Sequence, residues 1–395
     1  MAGSAHGTSN SPIAANQPLP SGRGRTLDDY LRSRSPGLDV VRLLLAFLVL
    51  VSHTWPLGGF GTEPSSPLTP HYLTLGGFAV AGFFGLSGLL VGRSALTRSP
   101  SAYTRARIVR IVPAYWTALA FGGFIVAALG WIHSQGSLGG FMTLEPGGPV
   151  GHVLRGALFP LKFSYGVDHV FITDTPFGRS EGISFVNGSL WTLPHEMRCY
   201  VVVGLVAVAA RRYGSRLAVS VAWVLVGALA VAYWISAPPV DFVIDSYATK
   251  QLVMFVFIFL SGTLAAVWAD HITLFGPLPL IALALGLIAG HTSLFLSEHM
   301  AGSLLVLILA PIAAVLEPIG RMLRGVDISY GLYLYAWPVQ QLVAMYSLAD
   351  NAALFIVLST IGTAVLATGS WFLIERPAMD RWRRPMNQPA AAAAT

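Results

Sequence analysis

Charged residues and cysteine are both scarce in this sequence of 395 residues. Asp, Glu, Lys and Arg together make up 11% of it, against 54% hydrophobic residues, and the mean hydropathy is +0.64. A soluble domain of this size cannot bury so much apolar surface, so the composition excludes an ordinary soluble protein and indicates a lipid bilayer. The one cysteine, Cys199, excludes an intramolecular disulfide and a cysteine-based zinc site built from this chain alone.

The first 36 residues lack an apolar segment followed by a small-residue cleavage site, which argues against a secretory signal peptide. Their Ser, Pro, Gly, Ala, Asn and Arg content is typical of disorder. We therefore expect residues 1–36 to be a disordered cytoplasmic tail, residues 37–377 to form one membrane domain, and residues 378–395 to be a second cytoplasmic tail. We find no internal repeat and no soluble catalytic domain, so we expect the chemistry to lie in the membrane domain.

Apolar runs long enough to cross a hydrocarbon core of about 30 Å recur along the membrane domain. They predict an all-α fold, a polytopic integral membrane helical bundle of about ten transmembrane helices. The predicted spans are 38–56, 76–93, 111–133, 194–210, 217–236, 250–268, 274–290, 300–317, 329–348 and 352–374.

With the N-terminus inside the cell, ten spans put nearly all basic residues in cytoplasmic loops and tails. The exceptions, outside or at the outer rim, are Arg155, Lys162, Arg179, Arg198 and Lys250. This bias follows the positive-inside rule and predicts a multi-pass plasma-membrane protein with both termini in the cytoplasm. It also accounts for the net charge of +6, so we expect no nucleic-acid partner. The longest outer loop is then 134–193.

Two ionisable residues share the first predicted span. His53 follows Arg42 by eleven positions, and at 100° per residue this spacing returns to within about 20°, with a rise of roughly 16 Å. The two side chains therefore lie on one face of the helix. Arg42 can be an anchor that extends to the cytoplasmic interface, and His53 can be an interfacial histidine. Ionisable residues inside a membrane are costly, which makes both candidates for function.

A cluster of arginines precedes the third predicted span. Arg107 and Arg110 lie on adjacent helical turns and can serve as topology signals alone. The functional alternative is that their forked donors bind a phosphate-bearing ligand from the cytoplasm, such as coenzyme A.

A carboxylate opens the fourth predicted span, where Glu196 follows the helix-starting Pro194. We expect Glu196 at the same outer level as His53, although stabilisation by the helix dipole is an alternative role. Ser87 belongs to a small-residue segment, Gly82–Gly88, for which close helix packing is the default interpretation.

Aromatic residues surround a proline in the ninth predicted span. Tyr330 and Tyr333 lie one turn apart and are followed by Trp337. They can belong to an aromatic belt at the membrane interface, or they can line a pathway through the bundle.

Taken in chain order over residues 38–377, these segments resemble the acyltransferase-3 family of membrane acyltransferases, which act on sugars, glycolipids and some secondary metabolites. The matching segments are the Arg-x10-His pattern of Arg42 and His53, Gly82–Gly88, Arg107–Pro113, Ser189–Glu196, Ser329–Pro338 and Ile374–Pro377. One departure is Ala336, where many members carry a histidine before Trp-Pro, so a role for that histidine cannot be transferred. A soluble hydrolase-like domain, frequent in members that modify peptidoglycan or lipopolysaccharide, is also absent from this sequence.

The resemblance implies transfer of an acyl group, which we predict to be acetyl, from acyl-coenzyme A to a hydroxyl of a cell-envelope polysaccharide or glycolipid. The family's histidine implies that His53 is the base, and a neutral imidazole can accept the proton of an attacking hydroxyl. We expect acyl-CoA as a co-substrate, a sugar or glycolipid acceptor, membrane lipids as surroundings, and no permanently bound cofactor or metal. The candidate catalytic residues are His53 and Glu196. The candidate donor- or substrate-binding residues are Arg42, Arg107, Arg110, Ser87, Tyr330, Tyr333 and Trp337.

Other functions stay open at this point. Within the enzyme class, the acceptor can be a macrolide-like secondary metabolite rather than an envelope glycan. A polytopic transporter is the alternative from another class, but the sequence has no inverted repeat and no matching Gly/Pro-broken segments in its two halves. A membrane sensor or scaffold would have no need of His53.

Overall fold

The computed structural model describes residues 25–32, 35–65, 74–143, 147–158, 164, 166–235, 246–292 and 296–383. Within these ranges the regular structure is helical, apart from an isolated antiparallel bridge between Thr26 and Thr273. The predicted tails up to residue 24 and from residue 384 lie outside the described residues.

Sixteen α-helices follow one another along the described chain. In order they are α1 (Leu27–Arg32), α2 (Gly37–Gly58), α3 (Leu75–Thr97), α4 (Pro100–Phe121), α5 (Ala127–Gln135), α6 (Pro149–Ala157), α7 (Pro176–Glu181), α8 (Thr192–Tyr213), α9 (Ser215–Ile235), α10 (Ser246–Val267), α11 (Pro277–Thr292), α12 (Gly302–Val315), α13 (Glu317–Met322), α14 (Ser329–Met345), α15 (Ala352–Ser370) and α16 (Arg376–Arg383). Single π-helical turns, Gly122–Val126 and Trp371–Glu375, join α4 to α5 and α15 to α16 without a break.

The predicted all-α polytopic bundle is confirmed. Seven helical segments of the described chain are long and apolar enough to cross a membrane: Gly37–Gly58, Leu75–Thr97, Pro100–Gln135, Gly188–Tyr213, Ser215–Ile235, Thr249–Val267 and Ala352–Trp382. The remaining three predicted spans fall on shorter helices, α11, α12 and the 17-residue α14. The count of ten therefore stays a prediction.

Capping residues fix the starts of two long helices. Thr74 Oγ1 accepts a hydrogen bond from the Gly77 amide at 3.0 Å at the start of α3. Asn351 Oδ1 accepts one from the Leu354 amide at 2.9 Å at the start of α15. Each cap satisfies an amide that the first helical turn leaves without a partner, so the sequence itself sets these boundaries.

Helices α3 and α10 pack backbone against backbone at the centre of the bundle. A Cβ atom added to Gly88 would lie 1.9 Å from the Phe259 carbonyl oxygen, and one added to Gly262 would lie 2.0 Å from that of Gly85. Only glycine permits so close an approach, which is how small residues hold membrane helices together. The close-packing interpretation of the Gly82–Gly88 segment therefore applies, and this contact fixes the position of Ser87.

The segment just before α2 differs from the prediction of a disordered tail. Leu27–Arg32 form α1, with both Leu27 and Tyr30 buried. The Tyr30 hydroxyl donates to Glu317 Oε2 at 3.2 Å, and the Leu27 amide donates to the Ile272 carbonyl at 2.8 Å. The two buried side chains and these long-range hydrogen bonds order a short segment within a polar stretch. The composition averaged over 36 residues does not reveal so short a segment.

Candidate functional site

A large polar cavity opens where α2 begins and α3 ends, the end of the bundle that the sequence assigns to the cytoplasm. Its empty volume is about 2110 Å³, part of which is open to the surroundings, and its walls come from α2, α3, α4, α8 and α16. Five arginines line it, namely Arg42, Arg98, Arg105, Arg107 and Arg110. Three carboxylates line it as well, namely Asp39, Glu196 and Asp327. The cavity is therefore electropositive and suited to an anion.

One carboxylate joins two of these arginines. Asp327 Oδ2 accepts a hydrogen bond from Arg42 Nη1 at 2.8 Å and from Arg110 Nη2 at 2.6 Å. Its other oxygen, Oδ1, accepts from the Ser329 amide at 3.2 Å and from the Ser329 hydroxyl at 2.5 Å. Burial alone would raise the pKa of Asp327, but Arg42, Arg110 and Ser329 stabilise its anion and hold that pKa well below its usual range. The residue stays ionised at physiological pH.

A second carboxylate extends this network to the end of the last span. Glu375 Oε2 accepts a hydrogen bond from Arg110 Nη1 at 3.3 Å, and its Oε1 accepts one from the Ser370 hydroxyl at 3.1 Å. The Arg110 guanidinium also lies 5.7 Å from the centre of the Tyr330 ring. Arg110 is therefore held by two acids and an aromatic face, and it belongs to the wall of the cavity.

Arg107 differs from Arg110 in having no carboxylate partner among the described residues. Its Nε atom is buried without a hydrogen-bond acceptor, and its guanidinium lies 5.8 Å from the centre of the Tyr200 ring. A buried guanidinium donor with no acceptor is costly and is satisfied when an anion enters the cavity. Arg107 is thus the member of the predicted pair that is available to a ligand.

A second, inner pocket adjoins this cavity within the bundle, with an empty volume of about 490 Å³, part of which is open to the surroundings. The two spaces share Arg42, Ser87, Glu196 and Tyr330 as lining residues. Phe83, Thr192 and Tyr333 are among the other residues that line the inner pocket. The arginine-lined cavity and the Tyr333 side of the bundle therefore border neighbouring spaces.

Glu196 lies at the junction of the two spaces, with Arg42, rather than beside His53. Its Oε1 accepts hydrogen bonds from the Tyr200 hydroxyl at 2.5 Å and from the Ser87 hydroxyl at 3.4 Å. The expected outer level fails because the turn before α8 is itself buried, with Leu190 0% exposed. Other parts of the protein therefore cover the residues that open α8.

Two hydroxyl groups meet at the inner end of the pocket. The oxygens of Thr192 and Tyr333 lie 2.7 Å apart, and either can be the donor. Because one hydroxyl donates to the other, the pair keeps one O–H that no other described residue accepts. It is a donor available to a group that enters the pocket.

His53 lies beyond Tyr333, against Trp337. The two rings are 4.8 Å apart in an edge-to-face arrangement, and Trp337 follows Tyr333 by one turn of α14. The imidazole Nδ1 is buried and has no hydrogen-bond partner among the described residues. His53 itself does not line either space.

Aromatic side chains of the 134–193 loop pack against this tryptophan. The ring centres of Phe177 and Phe185 lie 5.1 Å and 6.0 Å from that of Trp337. The Phe185 carbonyl accepts from Trp337 Nε1 at 3.4 Å and from Gln341 Nε2 at 2.7 Å. We call Phe177, Phe185 and Trp337 the aromatic cover. Its Trp337 is the member that contacts His53.

The structure thus brings most predicted site residues to two adjoining spaces. Lining residues include Arg42, Ser87, Arg107, Arg110, Glu196, Tyr330 and Tyr333, while His53 and Trp337 contact each other and line neither space. Sequence reasoning did not select Asp327 as a site residue and noted Glu375 only within a motif. The signal for both was the excess of buried arginines, each of which needs an acid. Among the described residues, no group of three or more His, Cys, Asp or Glu side chains is arranged to hold a metal ion.

Comparison with known proteins gives consistent matches over nearly the whole chain. A family model described as an acyltransferase domain matches residues 35–375. An O-acetyl transferase of Shigella phage Sf6 is 28% identical over 364 residues, which cover 88% of this chain and 97% of that protein. Nodulation protein 10 of Rhizobium leguminosarum bv. viciae is also 28% identical over 364 residues, with 86% and 92% coverage. No solved structure matches significantly.

Proposed function

This chain belongs to the acyltransferase-3 family and is an O-acyltransferase, and we propose that it transfers an acetyl group from acetyl-CoA to a hydroxyl of a cell-envelope polysaccharide or glycolipid. We further propose that it does so across the plasma membrane, with both termini in the cytoplasm. The observation that carries the proposal is an electropositive cavity lined by arginines at one end of the bundle, with an adjoining inner pocket that Tyr333 lines, one helical turn before the tryptophan that contacts His53.

Coenzyme A as donor is supported by the charge and shape of this space. The wide outer cavity offers Arg98, Arg105 and Arg107, none of which makes an ion pair among the described residues. Phosphate groups bind well to such guanidinium clusters. The narrower inner pocket is lined mainly by apolar and aromatic side chains and suits a slender pantetheine arm ending in a thioester.

His53 is the proposed base. An imidazole nitrogen accepts the proton of the acceptor hydroxyl as its oxygen attacks the thioester carbonyl carbon. The carbon–sulfur bond then breaks, the ester forms, and the coenzyme A sulfur leaves with the electron pair and takes up the proton from the imidazolium. The orphan Nδ1 supports this assignment, because a buried ring nitrogen without a protein partner is free to bond with a substrate.

The Thr192 and Tyr333 hydroxyl pair is the proposed stabiliser of the thioester oxygen. The carbonyl oxygen gains negative charge during attack, and a fixed O–H donor in a site shielded from water lowers the energy of that charge. Both residues of the pair line the inner pocket, with Thr192 at the start of α8 and Tyr333 one turn before Trp337 on α14. Glu196 is more distant and is proposed to hold Tyr200 and Ser87 in the cavity wall.

The proposal also specifies which acyl group is transferred and which acceptor receives it. The phage relative is named an O-acetyl transferase, which supports acetyl as the transferred group. A polar acceptor that cannot cross the bilayer would reach His53 from the side of the 134–193 loop, after the aromatic cover opens. This route favours an envelope glycan over a cytoplasmic acceptor.

The test is acyl transfer in isolated membranes supplied with isotopically labelled acetyl-CoA. Membranes containing wild type, His53→Ala, Arg42→Ala or the matched control His271→Ala are compared by mass analysis of glycans, glycolipids and secreted metabolites. His271 is exposed and lies away from both spaces, so it controls for loss of a histidine. We expect labelled ester with wild type and the control, and about 100-fold less or none with His53→Ala.

Three outcomes would contradict parts of the proposal. Normal labelling by folded His53→Ala protein would show that His53 is not the base. Export of an unmodified solute without any gain in mass would instead favour a transporter, and label on a secreted metabolite alone would replace the glycan acceptor with a macrolide-like one.

A further inference from the structure

The C-terminal helix brings an aromatic ring to the mouth of the outer cavity. After the π-helical turn Trp371–Glu375, α16 returns along α4, and Trp382 lines the cavity with its side chain half exposed. The Arg105 guanidinium lies 5.3 Å from the centre of the Trp382 ring, and Arg105 Nη2 donates to the Trp382 carbonyl at 2.6 Å. Both the ring and the guanidinium are therefore fixed at the entrance.

A second pair of the same kind on this chain shows what is unusual about the first. Arg216 lies 4.7 Å from the centre of the Trp268 ring, but its Nη2 also donates to Asp270 Oδ2 at 2.6 Å. That pair is a surface ion pair with a stacked ring, and neither member lines the cavity. Arg105 has no acid partner among the described residues, so its charge remains available beside an open ring.

We infer that Arg105 and Trp382 form a binding site for the adenine ring of the donor. The inference rests on the proposed use of acetyl-CoA. An adenine ring stacks on an indole face, and a guanidinium beside it adds a cation–π contact and attracts the phosphates attached to the ribose. Arg98 and Arg107 line the same cavity and are placed to bind those phosphates. Trp382 would then set the affinity for the nucleotide half of the donor and leave the chemistry at the thioester unchanged.

Two donors that differ only in the nucleotide half make the test specific. Acetyl-CoA carries adenine, and acetyl-phosphopantetheine lacks the adenosine portion but keeps the thioester arm. For Trp382→Ala in membranes, we expect KM for acetyl-CoA to rise about tenfold, which is 1.4 kcal/mol, with kcat unchanged. KM for acetyl-phosphopantetheine should not change. Trp268→Ala is the matched control, and it should change neither KM.

A direct binding measurement separates this inference from the proposed function. Adenosine 3′,5′-bisphosphate is titrated into the purified full-length protein in detergent, a readout that needs no turnover. We expect wild type and Trp268→Ala to bind it alike, Trp382→Phe to retain most of the affinity, and Trp382→Ala to lose about tenfold. Trp382→Leu keeps the apolar bulk without a ring, so it should lose as much affinity as Trp382→Ala. It replaces the alanine variant if that variant does not fold.

These measurements test the adenine site and the proposed acyl transfer separately. The adenine site would be overturned if Trp382→Ala raised KM equally for both donors. It would also be overturned if wild type and Trp382→Ala bound the bisphosphate with the same affinity. Neither result would contradict acyl transfer. Absence of transfer from either donor by wild type would overturn the proposed function. In that case the bisphosphate titration alone would decide whether the entrance binds adenine.

Discussion

Arg42 on α2 and Arg110 on α4 share a single acceptor atom, Oδ2 of Asp327, at 2.8 Å and 2.6 Å. Two guanidinium groups on one carboxylate leave a single positive charge, which an ionised Glu375, the second acid bound by Arg110, balances. The same cluster ties the start of the first span to the third span and to the loop before α14. It therefore holds the helices together, and the positive charge of the cavity comes from Arg98, Arg105 and Arg107.

Replacement of Asp327 by asparagine should destabilise the protein strongly. The amide keeps the shape but removes the charge that both arginines need, and breaking a buried pair by removing one partner costs about 3–5 kcal/mol. Thermal unfolding in detergent measures the loss. Asp270→Asn is the matched control, because the Arg216 and Asp270 pair is exposed to solvent and such pairs contribute little to stability. Similar unfolding temperatures for the two variants would contradict the role assigned to Asp327.

The outer loop should open as the pH falls. His152 on α6 is 0% exposed, and burial lowers its pKa to about 4, with Arg155 adding to the effect and the Gly166 carbonyl opposing it. The unfolded value is about 6.5, so the neutral folded form is fully stable above pH 6.5 and loses stability as the pH falls from 6.5 towards 4.

Hydrogen exchange of the α6 amides at pH 7.5, 6 and 5 checks this expectation. The free energy of local opening in the wild type should fall by roughly 1.4 kcal/mol for each pH unit below 6.5. His152→Asn cannot take up a proton, so its exchange, corrected for intrinsic rates, should show no such slope. A slope that persists in this variant would assign the effect to another group.

Loss of the Tyr333 hydroxyl should slow transfer more than it weakens donor binding. In Tyr333→Phe the ring still packs, but the pair with Thr192 is lost, and so is the proposed donor to the thioester oxygen. Removing one such donor costs about 100-fold in kcat. Initial rates in membranes at saturating donor check this, with Tyr346→Phe as the control, since Tyr346 is half exposed and away from both spaces. A higher KM with unchanged kcat would instead indicate a binding role.

Arg107→Gln should weaken the binding of acetyl-CoA without affecting the fold. Arg107 has no ion pair to break, so the unfolding temperature should stay close to that of the wild type. KM for acetyl-CoA should rise by about tenfold, consistent with loss of one charged hydrogen bond. The difference between variant and wild type should shrink as salt is added, because salt screens exposed charges. A large loss of stability would show that Arg107 is part of the packing instead.

The contact between α3 and α10 should tolerate no side chain at Gly88. The Cβ of Gly88→Ala would collide with the Phe259 carbonyl, and the helices must separate, which costs about 1–3 kcal/mol or more. Gly286→Ala is the control, because a Cβ there meets nothing within 4 Å. Thermal unfolding compares the two. Because Ser87 lies next to Gly88, activity should fall together with stability, and an unchanged Gly88→Ala protein would contradict the close approach.

Several features of the fold and the site could be predicted because they are local in the sequence. Apolar run lengths gave helices at every predicted span, and helical spacing put Arg42 and His53 on one helix, α2. The position of Glu196 could not be predicted, since hydropathy does not reveal that the turn before α8 is buried inside the bundle.

Pairings between distant residues were also beyond prediction. Asp327 lies 285 residues from Arg42 and 217 from Arg110, and no spacing rule connects them. The same holds for Arg105 and Trp382, which are 277 residues apart. Charge balance indicates that buried arginines need acids, but only the packing of the helices decides which acids they meet.

The aromatic cover beside His53 has a consequence for hydrolysis of the proposed donor. A thioester beside an imidazole is open to attack by water, and hydrolysis would consume donor without modifying any acceptor. Phe177 and Phe185 pack on Trp337, which contacts His53, so in the proposed mechanism these rings would limit the access of water to the imidazole until a larger molecule displaces them. Turnover of the donor would then depend on the arrival of an acceptor.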